Sequence, residues 1–410
     1  MILPLWLLVF TAASQTIIVT PILPIIGAEL AVSDALVGWL VSAYAISLAV
    51  AALVMGPISD RIGRRRVLLI GAGYLAVVLL AHGFVESFAG LLVARVLAGI
   101  GGGMLSGAAV SYVGDYFPYN RRGWATGWVM SGISFGLVFG VPMGRVLAVG
   151  LGYKMPFVAF GFVMVAAFAM ILTMVPQPNV ERSRDGVTVM AMLRTYARLL
   201  QTAAARTAAA TFFLMYLSLG LLVVYLPQWL TVHFPLEIVL FGNPLRFFGL
   251  DVDFIVTLFM VGGVASVFIS PIAGTISDRI GKKPMIIGSC LGLALVTASV
   301  TFVVVARWAA YPIYIAVMAL FAMRMTPLQA LVTSLVEARQ RGTLMSLAIA
   351  TGQVGISLGA ALGGVLYAGP GYRASTLVSA ASILLMAALV WFALPEPTEE
   401  KQASALSAAA

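Results

Sequence analysis

Long apolar runs alternate with short polar loops along almost the whole chain. Twelve runs of about 20 residues stand out, at approximately 3–26, 35–58, 67–84, 89–113, 124–148 and 155–175, then 208–232, 254–276, 285–306, 310–333, 343–367 and 374–394. As helices they are long enough to cross roughly 30 Å of hydrocarbon. The short alternating segments that a membrane β-barrel needs are not visible. The pattern predicts an all-α membrane protein of twelve transmembrane helices, six in 1–175 and six in 208–394. A polar linker, 176–207, joins the two sets, and its later part, Val189 to Leu200, reads as a short amphipathic helix on the membrane surface. Residues 395–410 read as a tail.

Composition strengthens this picture. Hydrophobic residues make up 61% of the chain and charged residues 10%, where a soluble domain carries about 25% charge. The net charge of +9 could suit a nucleic-acid partner. Its distribution argues against one, because the basic residues sit in short loops between spans. Seventeen of them fall on one side: Arg61, Arg64, Arg65, Arg66, Arg121, Arg122, the five linker arginines, Arg279, Lys282, Lys283, Arg339, Arg341 and Lys401. Only five, Arg145, Lys154, Arg246, Arg307 and Arg373, fall on the other. This asymmetry places both termini and the linker in the cytoplasm. The single cysteine, Cys290, lies in an apolar run, so neither a disulfide framework nor a cysteine metal site is available. The first run lacks a basic leader and a small-residue cleavage site, and a retained span is expected. No metal or organic cofactor is expected.

The loop after span two reads Gly56-Pro57-Ile58-Ser59-Asp60-Arg61-Ile62-Gly63-Arg64-Arg65-Arg66. After span eight the same order returns as Gly274-Thr275-Ile276-Ser277-Asp278-Arg279-Ile280-Gly281-Lys282-Lys283, 218 residues later. Span five carries Gly132, Gly136, Gly140 and Gly144, and span eleven carries Gly355, Gly359 and Gly363. Spacing by four puts each set on one helical face and permits a tight seam. Arg122-Gly123 and Arg341-Gly342 precede them in matching positions. The chain is therefore two related halves, repeated in parallel about an axis along the membrane normal.

With these motifs the chain resembles the major facilitator superfamily over essentially its whole length. The resemblance rests on Gly56, Asp60, Arg61, Gly63, Arg64 and Arg65 in the Gly-x-x-x-Asp-Arg-x-Gly-Arg-Arg signature and on its second copy. Arg95 followed by Ala98-Gly99-Ile100-Gly101-Gly102-Gly103 is similar to the family's span-four pattern. Gly136 to Gly144, with Pro142, resembles the antiporter motif of the twelve-span drug:proton subgroup. It departs where Val141 separates Gly140 from Pro142 and where Arg145 replaces the final glycine. The resemblance implies alternating access, a conformational role for Asp60 and Arg64 with Asp115 and Arg122 as neighbours, and a part for Arg95 in proton transfer. Independently, Asp60 at the end of span two can accept hydrogen bonds from the amino end of a helix, with span eleven near Thr343 a candidate. Such a contact joins the halves only when the cytoplasmic side is closed. The bland alternative for these loop charges is that they set topology alone.

Two ionisable residues fall clearly within spans, Arg95 and Arg324, and the acidic residues fall in loops or near span ends. An intramembrane arginine costs several kcal/mol and faces a bundle interior or a watery cavity. Arg324 sits near mid-span, where Met323, Met325, Thr326, Pro327 and Gln329 suggest a helix that bends. Either it meets substrate or it bonds carbonyls freed by Pro327. For Arg95 the structural alternative is a hydrogen bond into a neighbouring span. Gln15, Tyr44, Tyr216, Tyr225, Gln228, Tyr314 and Gln353 are candidate polar anchors of a mostly apolar cavity suited to amphiphiles, though each could equally be packing. His82 and His233 lie near outer span ends and read as surface histidines.

The expected function is secondary active transport, with proton-coupled efflux of small amphiphilic molecules ahead of an organic-anion carrier anchored at Arg324. A non-transporting receptor is a remote alternative. An ATP-driven pump is excluded by the lack of a Gly-x-x-x-x-Gly-Lys-Ser/Thr loop, and no nucleophile–base pair suggests an enzyme. The expected partners are a small molecule, protons and the bilayer. The expected setting is a monomer in a bacterial cytoplasmic membrane.

Overall fold

The computed structural model describes residues 1–106, 108–117, 119–177, 189–240, 243–247, 250–334 and 338–394. Among the described residues, eleven helices are individually long and apolar enough to cross a membrane, and a bent pair, taken as one span, makes twelve. Span one is that pair: α1 (Ile2–Ile17) and α2 (Leu23–Glu29), turned by 46° at a 3-10 turn holding Pro21. Proline lacks the amide that would continue the ladder, so the helix yields there. Span two comprises α3 (Asp34–Val37) and α4 (Trp39–Ile62), and span three is α5 (Arg64–Ala81). Span four is α6 (Phe88–Leu105), followed by the separate α7 (Ala108–Tyr116) where the sequence predicts one run. Span five is α8 (Tyr119–Phe135), a π-helical turn over Gly136–Gly140, and α9 (Val141–Leu151). Pro142 has no N–H for the carbonyl four residues back, and the ladder widens at that point. Span six is α10 (Met155–Met174).

A surface helix, α11 (Val189–Gln201), leads to the second half. Span seven is α12 (Ala203–Val223) and α13 (Leu226–His233). Spans eight to twelve are α14 (Phe254–Ile280), α15 (Lys282–Val303), α16 (Arg307–Ser334), α17 (Ala338–Ala368) and α18 (Tyr372–Ala393). The loop between spans seven and eight is built from two small hairpins that no sequence signal predicted. β1 (Val239–Leu240) pairs with β2 (Asn243–Pro244), and β3 (Arg246–Phe247) pairs with β4 (Leu250–Asp251).

Packing repeats with the chain. Span one meets five, two meets four and three meets six, while seven meets eleven, eight meets ten and nine meets twelve. Lipid cannot drive helices together as water does, so close backbone approach supplies the attraction. The glycines sit on these seams. A side chain at Gly132 or Gly136 would strike the backbone of Trp6 or Phe10 and Ser14, and one at Gly140 or Gly144 would strike Ser14 or Ile18. Gly355 and Gly359 do the same against Phe213, Leu217 and Gly220, and Gly363 meets the Tyr225 ring. The two halves touch where span two meets eleven and five meets eight.

Candidate functional site

The duplicated loops begin with the same backbone device. Gly63 (φ +99°) ends α4 and Gly281 (φ +95°) ends α14, each starting the next helix at once. Only glycine enters that conformation without strain, which explains its place in both copies. Beside Gly63, Arg64 pairs with Asp115 of α7 at 3.1 Å, joining span three to the end of span four. Arg65 donates to the Val175 carbonyl and, at 2.8 Å, to Leu172 O at the end of span six. These bonds stay within the first half and tie its cytoplasmic ends together. Arg279 is exposed and Lys282 half-buried. The side chains of Asp60, Arg61, Arg122 and Asp278, with Gly56 and Gly274, lie outside the described residues, and so does the expected Asp60 contact.

Arg95 is fully buried in the first half. Its Nη2 donates to Gln15 O at 3.0 Å and its Nε to Leu40 O at 3.4 Å. The guanidinium lies 4.2 Å from the Tyr44 ring centroid and 5.8 Å from that of Phe157. Arg95 Nη1, Thr11 Oγ1 and both polar atoms of Gln15 are buried without a partner. His82 is buried too, which corrects its surface assignment. It stacks on Phe157 at 4.5 Å, and its Nδ1 donates to Val78 O at 2.8 Å. A carbonyl can only accept, so Nδ1 carries the proton and Nε2 stays an acceptor. Aromatic contact and a near-outer position, not exposure, decide this histidine's environment. His233 is exposed.

Arg324 is equally buried in the second half. It donates to Ser218 Oγ at 3.4 Å, lies over the Phe321 ring at 5.1 Å and sits beside the Cys290 thiol. Its Nε and Nη1 are without partners. Tyr216 packs edge-on against Phe321 and lies under Gly352. Gln353 is nearly buried, with Oε1 unpartnered. Tyr314 packs elsewhere, against Phe259 and Gly262 between spans eight and ten. The candidate anchors thus do not form one lining: Gln15 and Tyr44 gather at Arg95, Tyr216 lies near Arg324, and Tyr314 stands apart from both.

Tyr225 and Gln228 belong to a third group, the outer seam between the halves. Gln228 donates to Asp34, and Ser42 Oγ donates to Ser357 O at 2.6 Å. Tyr225 packs on Gly38 and Gly364. Sequence reasoning missed the main polar contact here. Arg145, assigned to the outer loops, is only 2% exposed. Its Nε meets both oxygens of Asp253, at 3.0 and 2.7 Å, and its Nη2 meets Oδ2 at 2.6 Å. Its Nη1 donates to Pro21 O at the bend of span one. Asp253, 8% exposed, also caps α14 by accepting from Val256 N at 2.9 Å. The spans therefore hold a third buried arginine and a buried carboxylate. The departure of Arg145 from the glycine pattern was the available signal. At this seam the hairpins border an open cavity of about 600 Å³, with Arg145, Asp253, Glu29, Glu237, Arg246 and Asp251 at its walls. Among the described residues no cluster of His, Cys, Asp or Glu could hold a metal.

The profile of the Major Facilitator Superfamily matches residues 5–245 and 212–409. An uncharacterized MFS-type transporter of Bacillus subtilis, YceJ, is 24% identical over 88% of this chain and 89% of its own length. The quinolone resistance protein NorA of Staphylococcus aureus is 24% identical over 40% of this chain and 42% of its own. A local match of 39% identity to an uncharacterized Mycobacterium tuberculosis transporter covers 25% of this chain and 18% of that protein. Among solved structures, a crystal structure of a D-xylose-proton symporter superposes with a TM-score of 0.75 at 17% identity, over 96% of this chain and 97% of that one. At that identity the likeness concerns the fold.

Proposed function

Because the chain belongs to the Major Facilitator Superfamily, we propose that it is a secondary active transporter exporting small amphiphilic molecules in exchange for protons, its two halves rocking about a central path. The observation that carries export is span five. Gly136 to Gly144, with Pro142, resembles the antiporter motif, and its glycines form the seam with the bent span one. Similarity to the quinolone resistance protein supports the same reading. Arg95, with Gln15 and Tyr44, is the proposed coupling cluster. Its unpartnered polar atoms give a proton or an internal water places to bond. The Asp60 loop, with the Arg64–Asp115 pair behind it, biases the cytoplasmic side between open and closed. The working unit is a monomer in a bacterial cytoplasmic membrane.

Arg324 favours a second reading, an organic-anion carrier. Its buried Nε and Nη1 lack acceptors, and a substrate carboxylate would satisfy one of them. Purified protein in liposomes containing a pH-sensitive dye tests the pair of readings. Under an imposed proton gradient, export predicts proton movement on addition of lipophilic cations or neutral amphiphiles. Uptake of small organic anions alone, without proton flux, replaces it with the anion carrier.

A further inference from the structure

The position at which span five leaves the antiporter-like pattern is also where the halves are held together by charge. Gly132, Gly136, Gly140 and Gly144 face span one. Arg145 is one residue on, about 100° around the helix, and so lies at the edge of that seam, between spans one and eight. It reaches Asp253 at the first turn of span eight, in the other half. Both side chains are nearly removed from solvent, and the fork of the guanidinium engages both carboxylate oxygens, a geometry of strong charge-assisted bonding. The remaining arm holds the Pro21 carbonyl where span one bends. One side chain therefore fastens the end of span five, the bend of span one and the cap of span eight. Ser42–Ser357 and Gln228–Asp34 lie on the same outer seam but carry at most one charge each.

We propose that Arg145 and Asp253 form the outer latch of this transporter, an ion pair made when the outer side is closed and broken when the halves part. Both groups border the open cavity beside the hairpins, and parting the halves would widen it so that each is hydrated once the pair breaks. Removing one partner leaves the other charge buried in the closed state only. Such a change disfavours closure strongly, whereas the open state is little affected. Asp253→Asn separates charge from capping, because asparagine caps a helix as well as aspartate.

The proposal rests on the reading that the halves rock, and its test uses neither substrate nor proton gradient. Cys290→Ser protein would carry spin labels at Glu29→Cys and Glu237→Cys, exposed residues on opposite halves at the wall of the same cavity. Electron–electron double resonance then reports the width of the outer side. Arg145→Gln and Asp253→Asn should each raise the ratio of long to short distances by at least about tenfold. The double variant should do no more than either single change, since one interaction is lost in all three. Parent-like distances in both single variants, or effects that simply add in the double, overturn the latch. If Arg145→Gln does not fold, Asp253→Asn decides alone, as its cap is intact. An absence of proton flux in liposomes would overturn the proton-coupled export reading and leave these distances meaningful.

Discussion

Gly364 offers a perturbation of the contact between the halves. It lies on span eleven and faces span two, so a methyl group there would sit 2.5 Å from the Tyr225 hydroxyl and 2.7 Å from the Ala35 carbonyl oxygen. Carbon and oxygen approach comfortably only to roughly 3.3 Å, so the overlap exceeds half an ångström on both sides. Ala35 belongs to the other half and contributes backbone, which cannot swing aside. The cost is that of overpacking, about 1–3 kcal/mol; the Tyr225 ring, in the same half, can swing aside, and the part set by the Ala35 backbone falls on the outer-closed arrangement. Gly364→Ala should therefore shift the equilibrium toward outer-open by roughly 5- to 150-fold. A cysteine at the buried Val37 position, in a Cys290→Ser background, reports this through its rate of reaction with a membrane-impermeant maleimide added outside. Adding Tyr225→Phe removes the oxygen of the same half but not the Ala35 carbonyl, and should leave the labelling rate raised. Gly359→Ala is the contrast, because its clash with Leu217 and Gly220 lies inside one half. It should lower thermal stability without raising the labelling rate. If Gly364→Ala instead lowers stability and leaves labelling at the parent rate, closure does not depend on that approach and the reasoning fails.

Other expectations follow from the same geometry. Gly63→Ala forces a methyl group into a left-handed backbone and should cost about 1–2 kcal/mol, read as a lower denaturation midpoint in detergent. Arg324→Gln removes the buried charge beside Ser218. An anion carrier would lose binding by tenfold or more, whereas an amphiphile exporter retains some of its substrates, as equilibrium binding to reconstituted protein decides. Asp60→Asn should populate the inward-open state and slow transport while the protein still folds. Unchanged accessibility of cysteines placed along the central path would count against it.

The sequence determined the spans, their orientation and the twofold repeat, because each follows from local or one-dimensional rules. Twenty apolar residues suffice to cross the bilayer, loop arginines set its polarity, and a copied motif betrays a copied half. The glycine faces were legible for the same reason, since spacing by four survives into any straight helix. Partner choice was not. Nothing near Arg145 in the chain reveals Asp253, 108 residues away, so a buried ion pair looked like two loop charges. His82 looked exposed until Phe157, from span six, covered its ring. The anchors scattered among spans one, two, seven, ten and eleven looked like a single lining. In the fold, the Gln15 backbone carbonyl and the Tyr44 ring meet Arg95, Tyr216 turns toward Arg324's neighbours, and Tyr225 and Gln228 meet the opposite half. Insertion is written residue by residue, because the bilayer acts on each segment separately. Which buried groups meet depends on how helices distant in sequence rotate and pack, and only the tertiary structure decides that.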